Sequence, residues 1–310
     1  MDVVYYPDSP SPKWREPVAA LGNFDGLHRG HMRLLERVRR QAGERGGTPV
    51  AMIFDPHPPS VLRPDKAPLL LMTLDQKIEA FERAGMQGVA IVRFTPLVAR
   101  WEPEYFVETV LVDWLHVAEV LVGANFLFGR DRTGTYTLLR ALGEDRGFRT
   151  DKIDPVRYKD FVVSSTRVRH LVAEGRVDEA AALLGHQYFL DGTVVHGDGR
   201  GRELGCPTAN LETANALLPA YGIYATIAIV DRIHYPAVTS VGIRPTIGDG
   251  KLTIETHLLD TSQDLYGKPL RLAFVQWLRE ELKFDSLDAL RAQIASDCAT
   301  ARTLFEAMAL

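Results

Sequence analysis

Residues Gly22 to His31 read GNFDGLHRGH, with His28 and His31 three residues apart among Gly22, Gly26 and Gly30. Three chemistries could use this set: a metal pair, a catalytic pair, or a cradle for an anion. A metal would need further soft or acidic ligands close by, and none are evident in the neighbouring sequence. An anion cradle needs less. The run Val18–Leu21 before the motif is small and apolar, and the segment after it is amphipathic. The motif therefore falls at a strand-to-helix junction, where backbone N–H groups point outward and the helix start carries partial positive charge. Glycine lets the backbone approach a ligand closely, and imidazole donates to phosphate oxygens. Residues spaced by three at a helix start are neighbours. The stretch suits a triphosphate.

Four further stretches carry candidate chemistry. SSTRVR, Ser164 to Arg169, offers hydroxyls and then arginines at a helix start, which suits phosphate; standing alone its default reading is an ordinary N-cap with solvated arginines. VGANFLFGRDRTG, Val122 to Gly134, presents Asn125, whose amide can read an adenine or ribose edge. GDGRGRELGCPTANL, Gly197 to Leu211, is not a Walker A loop, because no GK[ST] closes it. Its glycines with Arg200 and Arg202 make a basic loop suited to ATP phosphates. Thr208 and Asn210 then supply two oxygen ligands on one face of an extended chain, a pattern that suits Mg²⁺. Finally, Glu255 stands in TIETHLLD, in an otherwise apolar strand. It reads either as a general base for an alcohol or as an outward-facing strand glutamate, since Thr256 and His257 obscure the alternation.

Positioning these groups takes two kinds of architecture. From Val18 to about Lys159, continuous apolar runs (VAALGNF, TPVAMIFDP, VAIVRF, AEVLVGANFLFG) alternate with helical patterns (MRLLERVRRQAGERG, LDQKIEAFERAG, EYFVETVLVDWL, YTLLRALGEDRG), and TDKIDPVRY leads into a last short strand. That alternation predicts a parallel sheet covered on both faces, with ligands at the carboxyl ends of its strands. STRVRHLVAEGRVDEAAALLG reads as two helices broken at Gly175, a flap or a connector. Beyond it come YFLDGTVVHG, YGIYATIAIV, YPAVTSVGI, KLTIETHLLD and PLRLAFVQWL, which predict a small antiparallel barrel. EELKFDSLDALRAQIASDCATARTLFEAMA closes the chain as a helical stretch, with Asp285 or Ser286 as its N-cap. We place the boundary near residue 185, giving domains 1–185 and 186–310.

Composition narrows the function classes. At 310 residues, two domains are the better expectation. The net charge of −4 and dispersed basic residues speak against nucleic-acid or anionic-membrane partners. No apolar run reaches membrane-span length, and the N-terminus lacks the basic start and apolar core of a signal peptide. Two distant cysteines, Cys206 and Cys298, indicate neither a disulfide framework nor a zinc cluster and fit a reducing cytoplasm.

GxFDxxHxGH resembles the signature of the nucleotidyltransferase superfamily, SSTRVR resembles its ISSTxIR motif, VGANFLFG resembles its GxDFxFG pattern, and RGRELGCPTAN is similar to a riboflavin kinase block. Together and in this order they resemble the prokaryotic bifunctional riboflavin kinases/FAD synthetases over nearly the whole chain. The resemblance implies an α/β Rossmann-like nucleotidyltransferase domain followed by a six-stranded antiparallel Greek-key β-barrel with a C-terminal helix. It implies that the second module phosphorylates riboflavin to FMN with MgATP, and that the first adenylylates FMN to FAD with release of pyrophosphate. Carried over, Gly22, Asn23, Phe24, Asp25, Gly26, His28, His31 and Asn125 would bind the adenylyltransferase ATP, with Ser164, Ser165, Thr166 and Arg169 on its β- and γ-phosphates. Gly199, Arg200, Gly201, Arg202 and Gly205 would bind the kinase ATP, Thr208 and Asn210 would hold Mg²⁺, and Glu255 would be the kinase base. Phe54, Tyr105, Phe128 and Arg279 are candidate flavin contacts. The chain departs from the family pattern at Cys206, where Phe is usual before PTAN, and at Ile243-Arg244, where Thr-Asn is commoner.

Overall fold

The structure, a computed structural model, describes residues 1–197, 205–244, 251–261 and 263–308. The chain divides into two compact units, Met1–Ser165 and Thr166–Leu310.

The first unit is built on a six-stranded sheet of β1 (Asp2–Tyr6), β2 (Val18–Leu21), β3 (Pro49–Asp55), β4 (Gly88–Arg93), β5 (Glu119–Gly123) and β6 (Arg149–Ile153). Every pairing is parallel, in the order β1-β4-β3-β2-β5-β6. Val18 to Leu21 are wholly buried, which is why their run is apolar without alternation. The chain winds outward from β2 through β3 and β4, then returns to place β5 on the other side of β2. The strand order therefore reverses at β2, and its carboxyl end is the switch point where ligands gather.

Helices α1 (Arg29–Arg45), α2 (Pro58–Leu62), α3 (Leu74–Arg83), α4 (Pro103–Phe106) and α5 (Tyr136–Arg146) connect these strands. Helix α1 turns Leu34, Leu35, Val38 and Ala42 to the core and stops at Gly46, whose φ of 61° is left-handed. Thr73 and Gln76 close a capping box on α3. Two elements differ from expectation. MDVVYY forms edge strand β1, paired with β4 from Asp2 opposite Gly88 to Tyr6 opposite Val92. Its partner lies far along the chain, so no local pattern announces it. EYFVETVLVDWL begins as α4 but runs on as a π-helix over Val107–Trp114, a change of hydrogen-bond step that apolar spacing does not reveal. A short hairpin of β7 (Arg157–Tyr158) and β8 (Phe161–Val162) follows.

After α6 (Ser165–Ala173) and α7 (Val177–Leu184) come β9 (Tyr188–Val195), β10 (Ala209–Thr213), β11 (Gly222–Val230), β12 (Ile233–Arg244), β13 (Lys251–Leu258) and β14 (Pro269–Arg279). They close into an antiparallel barrel, β10-β13-β12-β11-β14-β9. The spatial run β14-β11-β12-β13 places the last of four strands beside the first, which makes it a Greek key. Helix α7 packs on β14 and β9, and α6 and α7 group with the barrel. The C-terminal helix α8 (Leu287–Ala307) starts at the Ser286 cap, whose Oγ accepts from the Ala289 N–H; EELKF lies ahead of it, outside the helix.

Strand β11 is buried on both faces. Tyr224, Thr226 and Ala228 alternate with Ala225 and Ile227, and the latter pack with Ala273, Val275 and the α8 residues Cys298, Ala301 and Phe305. Three buried hydroxyls on adjacent strands form a chain: Thr226 Oγ1 is 2.7 Å from Thr239 Oγ1, which donates to Thr256 Oγ1 at 2.8 Å.

Candidate active sites

The first site begins where β2 ends. Between β2 and α1 the backbone turns sharply: Phe24, Gly26 and Leu27 all take positive φ, of 49°, 84° and 37°. Two of these are not glycine, so the turn carries strain of the kind that clusters at functional sites. Surrounding contacts hold it. Phe24 is fully buried, its ring 5.3 Å from Phe81 and 5.1 Å from His31. Asp25 is 1% exposed, and its carboxylate accepts the N–H groups of Leu71 and Met72. Ser165 Oγ donates to the Asp25 carbonyl at 2.8 Å, tying the SST stretch to the turn. Phe24 and Asp25, expected as ATP contacts, thus use their side chains to shape the loop, while Asn23 is exposed beside them.

His28 caps α1: its Nδ1 accepts from the His31 N–H at 3.3 Å. The two imidazoles stack with centroids 3.7 Å apart and planes 12° from parallel. Because Nδ1 of His28 accepts, a neutral ring carries its proton on Nε2, which leaves an N–H donor on the other edge. A Cβ at Gly30 would lie 3.2 Å from that ring, so glycine there gives it room. Asn125 follows β5, whose Val122 pairs with Leu21, so both motifs emerge at the same strand ends. Ser164 and Ser165 are half-buried in this unit; Thr166 and Arg169, in α6, belong to the second.

Of the candidate flavin contacts, Phe128 is buried and Phe54 partly buried in the sheet core, both against Phe106. Tyr105 is 52% exposed and edge-on to Trp101. Arg279, in the barrel, forms a two-pronged pair with Asp297 of α8, Nε–Oδ1 2.9 Å and Nη2–Oδ2 2.7 Å. That pair fastens the helix to the barrel.

The second site lies on the outer face of β10 and β13. Asn210 stands directly opposite Glu255, and the Thr208 hydroxyl donates to Glu255 Oε2 at 3.3 Å. Ile254, Thr256 and Leu258 are buried toward the barrel interior, so Glu255 faces outward, half-buried. A Cβ at Gly197 would come within 2.2 Å of Asn210 Nδ2, which explains glycine at that position. Beside Thr208 a cavity of about 350 Å³ opens between Val194, Leu258, Gln263, Asp264 and Tyr266. Its far wall is Gln263 to Tyr266, in the stretch QDLYGK that leads into β14. His196 stacks on Tyr266 at 3.9 Å. Gly205 takes a left-handed φ of 79°; Gly199, Arg200, Gly201 and Arg202 lie outside the described residues. Across β12, Ser240 pairs with Glu255 in register and donates to Glu281 Oε1 at 3.4 Å.

Among the described residues no cluster of three or more His, Cys, Asp or Glu could hold a metal, and no helix is long and apolar enough to cross a membrane.

A family model for FAD synthetase matches residues 11–167, and one for riboflavin kinase matches residues 184–305. The bifunctional riboflavin kinase/FMN adenylyltransferase of Pseudomonas fluorescens is 39% identical over 294 residues, 94% of each chain. That of Escherichia coli K12 is 37% identical over 289 residues, 93% of this chain and 92% of its own. A crystal structure described as a macrolide-efflux protein from Streptococcus pneumoniae shares the fold, with a TM-score of 0.88, 27% identity, and coverage of 97% of this chain and 99% of that one. With a nucleotide-type switch point, an oxygen-rich barrel face and relatives aligned across both, the chain belongs to the bifunctional riboflavin kinase/FMN adenylyltransferase family.

Proposed function

We propose that Thr208, Asn210 and Glu255 perform the riboflavin kinase step and that the β2–α1 turn with His28 and His31 performs FMN adenylylation, in modules 186–310 and 1–185. The convergence of Thr208 and Asn210 on Glu255 carries the reading for the kinase. Glu255 removes the proton of the riboflavin 5′-hydroxyl as its oxygen attacks the ATP γ-phosphorus and ADP leaves; a neutral alcohol needs such a base. Thr208 and Asn210 are hard oxygen donors of the type that holds Mg²⁺, which completes its shell with water and phosphate. When bound there, Mg²⁺ would neutralise phosphate charge. Arg200 and Arg202, outside the described residues, are assigned to the ATP phosphates by their charge, and the 350 Å³ cavity beside Thr208 suits the purine of ATP.

The adenylyl step differs because the FMN phosphate is already an anion. Its oxygen attacks the α-phosphorus of ATP, the α–β bond breaks, and pyrophosphate leaves. No base is needed. The Nε2–H of His28, the His31 ring, the α1 N-terminus and the turn's N–H groups stabilise the charge that develops. Ser164 and Ser165 hold the β- and γ-phosphates and Asn125 the nucleoside, and of the aromatic candidates exposed Tyr105 is the one free to meet the flavin ring, Phe54 and Phe128 being packed against Phe106. The substrates are small molecules. Two free thiols fit a reducing compartment such as the cytoplasm.

The test feeds riboflavin or FMN, with ATP and Mg²⁺, to Glu255→Ala and His28→Ala proteins and separates the products. The first should make FAD only from FMN. The second should stop at FMN. Loss of both activities in either folded variant overturns the two-site assignment.

A further inference from the structure

Helix α3 meets the β2–α1 turn at two places. Just ahead of it, the Leu71 and Met72 N–H groups donate to the Asp25 carboxylate. Within it, Phe81 sets its ring edge-on to Phe24 at 5.3 Å. Phe24 and Asp25 are consecutive in the turn, so one helix grips both. The helix start is itself fixed, because Gln76 Oε1 accepts the Thr73 N–H at 2.9 Å. Lys77 lies between the two grips. It precedes Phe81 by four residues, on the same inward face of α3. Lys77 is only 4% exposed, and lysine is almost never so buried unless it is paired. An ammonium taken out of water needs a carboxylate beside it to stay charged. Among the described residues three carboxylates are buried: Asp25, Glu119 and Asp297. Glu119, at the start of β5, pairs with Arg45 at 3.0 Å, and Asp297, in α8, pairs with Arg279 at 2.7 Å. Asp25, 1% exposed, is the one on the turn that α3 grips.

We infer that Lys77 and Asp25 form a buried ion pair, and that Lys77 is thereby a positioning residue of the adenylyltransferase. The ammonium offsets the desolvation of the carboxylate. The carboxylate, kept as a charged acceptor, holds the two N–H groups ahead of α3 more strongly than a neutral group would. Lys77 acts through Asp25 rather than on ATP.

The location gives this pair its effect. Phe24 and Leu27, on either side of Asp25 and Gly26, hold positive φ, a conformation that persists only where the surroundings impose it. Three residues beyond Asp25 stands His28, the cap of α1. A turn released from α3 would move its N–H groups and His28 together. A shift of about 1 Å in a positioned group can cost a hundredfold in rate. The inference rests on the adenylyltransferase reading of this turn.

The experiment is a double-mutant cycle on the full-length protein: Lys77→Met, Asp25→Asn and both together, read by thermal unfolding and by steady-state kinetics of both reactions. Each single change leaves one buried charge facing a neutral group, whereas the double change removes both charges. Each single variant should therefore lose Tm, and the double variant should be no less stable than the weaker single one. Lys77→Met should lower kcat for FMN adenylylation about tenfold or more, with the ATP KM changed less than kcat. Lys77→Arg, which keeps the charge, should retain more of that rate than Lys77→Met. Riboflavin phosphorylation should stay within about twofold in every variant. Losses in Tm that simply add overturn the pair, and an unchanged adenylylation kcat in Lys77→Met overturns the positioning role. Should Lys77→Met fail to fold, the double variant decides: folding regained supports the pair, and folding still lost overturns it. Failure of the adenylyltransferase reading is separable, because His28→Ala would then still make FAD while the coupling in Tm persists.

Discussion

The two sites solve phosphate chemistry with different parts of the polypeptide. At the end of β2 the working groups are a strained turn, a helix start and two stacked imidazoles, with the Asp25 carboxylate turned back into the loop. On the barrel they are three side chains facing across a ladder, one of them a half-buried carboxylate pointing out. On our assignment the contrast follows the nucleophile. A phosphate monoester arrives already charged, so backbone N–H groups and imidazoles suffice. An alcohol must lose a proton, so a base is built in.

The sharpest break of this comparison is the reciprocal pair of variants. Glu255→Ala should lower riboflavin phosphorylation by ~10²–10⁴-fold. His28→Ala should lower FMN adenylylation by ~10²–10³-fold. Each should leave the other rate within about twofold in separated assays.

Two glycines scale the effect of crowding at each site. A Cβ at Gly197 meets the Asn210 amide at 2.2 Å, whereas one at Gly30 meets the His28 ring at 3.2 Å. Gly197→Ala should therefore cut the kinase rate by ~10–100-fold, and Gly30→Ala should cut adenylylation only a few-fold, ~3-fold, in steady-state kinetics. Equal losses would show that the barrel site tolerates displacement better than its geometry implies.

Stability separates the modules further. Arg279→Ala leaves the Asp297 carboxylate, 6% exposed, accepting from the Gln293 amide at 2.9 Å without its cationic partner, and should destabilise the barrel by about 2 kcal/mol in denaturant unfolding. A raised riboflavin KM in that variant, beyond the stability loss, would add flavin contact to the arginine's duties. The smallest effect is at Asp260. The Arg302 hydrogen bond holds its carboxyl below the usual range. Its folded-state value is lower than its unfolded one, so its contribution is present above the ordinary carboxylate range and lost as pH falls through the folded value. Asp260→Asn should slightly flatten the fall in Tm between about pH 5 and about pH 3.

Much of this was legible in residue patterns. Buried parallel strands read as unbroken apolar runs, and a Gly-rich junction after one of them marked the first site. The barrel site was visible through PTAN, because alternating oxygen ligands need only an extended chain. What stayed hidden depends on long-range pairing. β1 gains its identity from β4, and Glu255 gains its direction from the register of β13. The flavin candidates show the same limit: aromatic type marked Phe54 and Phe128, but packing against Phe106 places them largely in the core. Likewise Arg279 could be read as a ligand contact until α8 supplied Asp297.

The threonine chain through the barrel has a mechanical consequence. Side chains on a strand alternate, so a slip of one residue would turn Glu255 inward and Thr256 outward. Burial of Ile254 and Leu258 on the interior face already opposes that slip. The hydroxyls of Thr226, Thr239 and Thr256 make the penalty discrete, because a slipped β13 would break the Thr239–Thr256 bond and end the chain at Thr239. The barrel interior thus acts as a ratchet tooth for its exterior, and Thr256→Val should blur the phase of the strand on which the kinase depends.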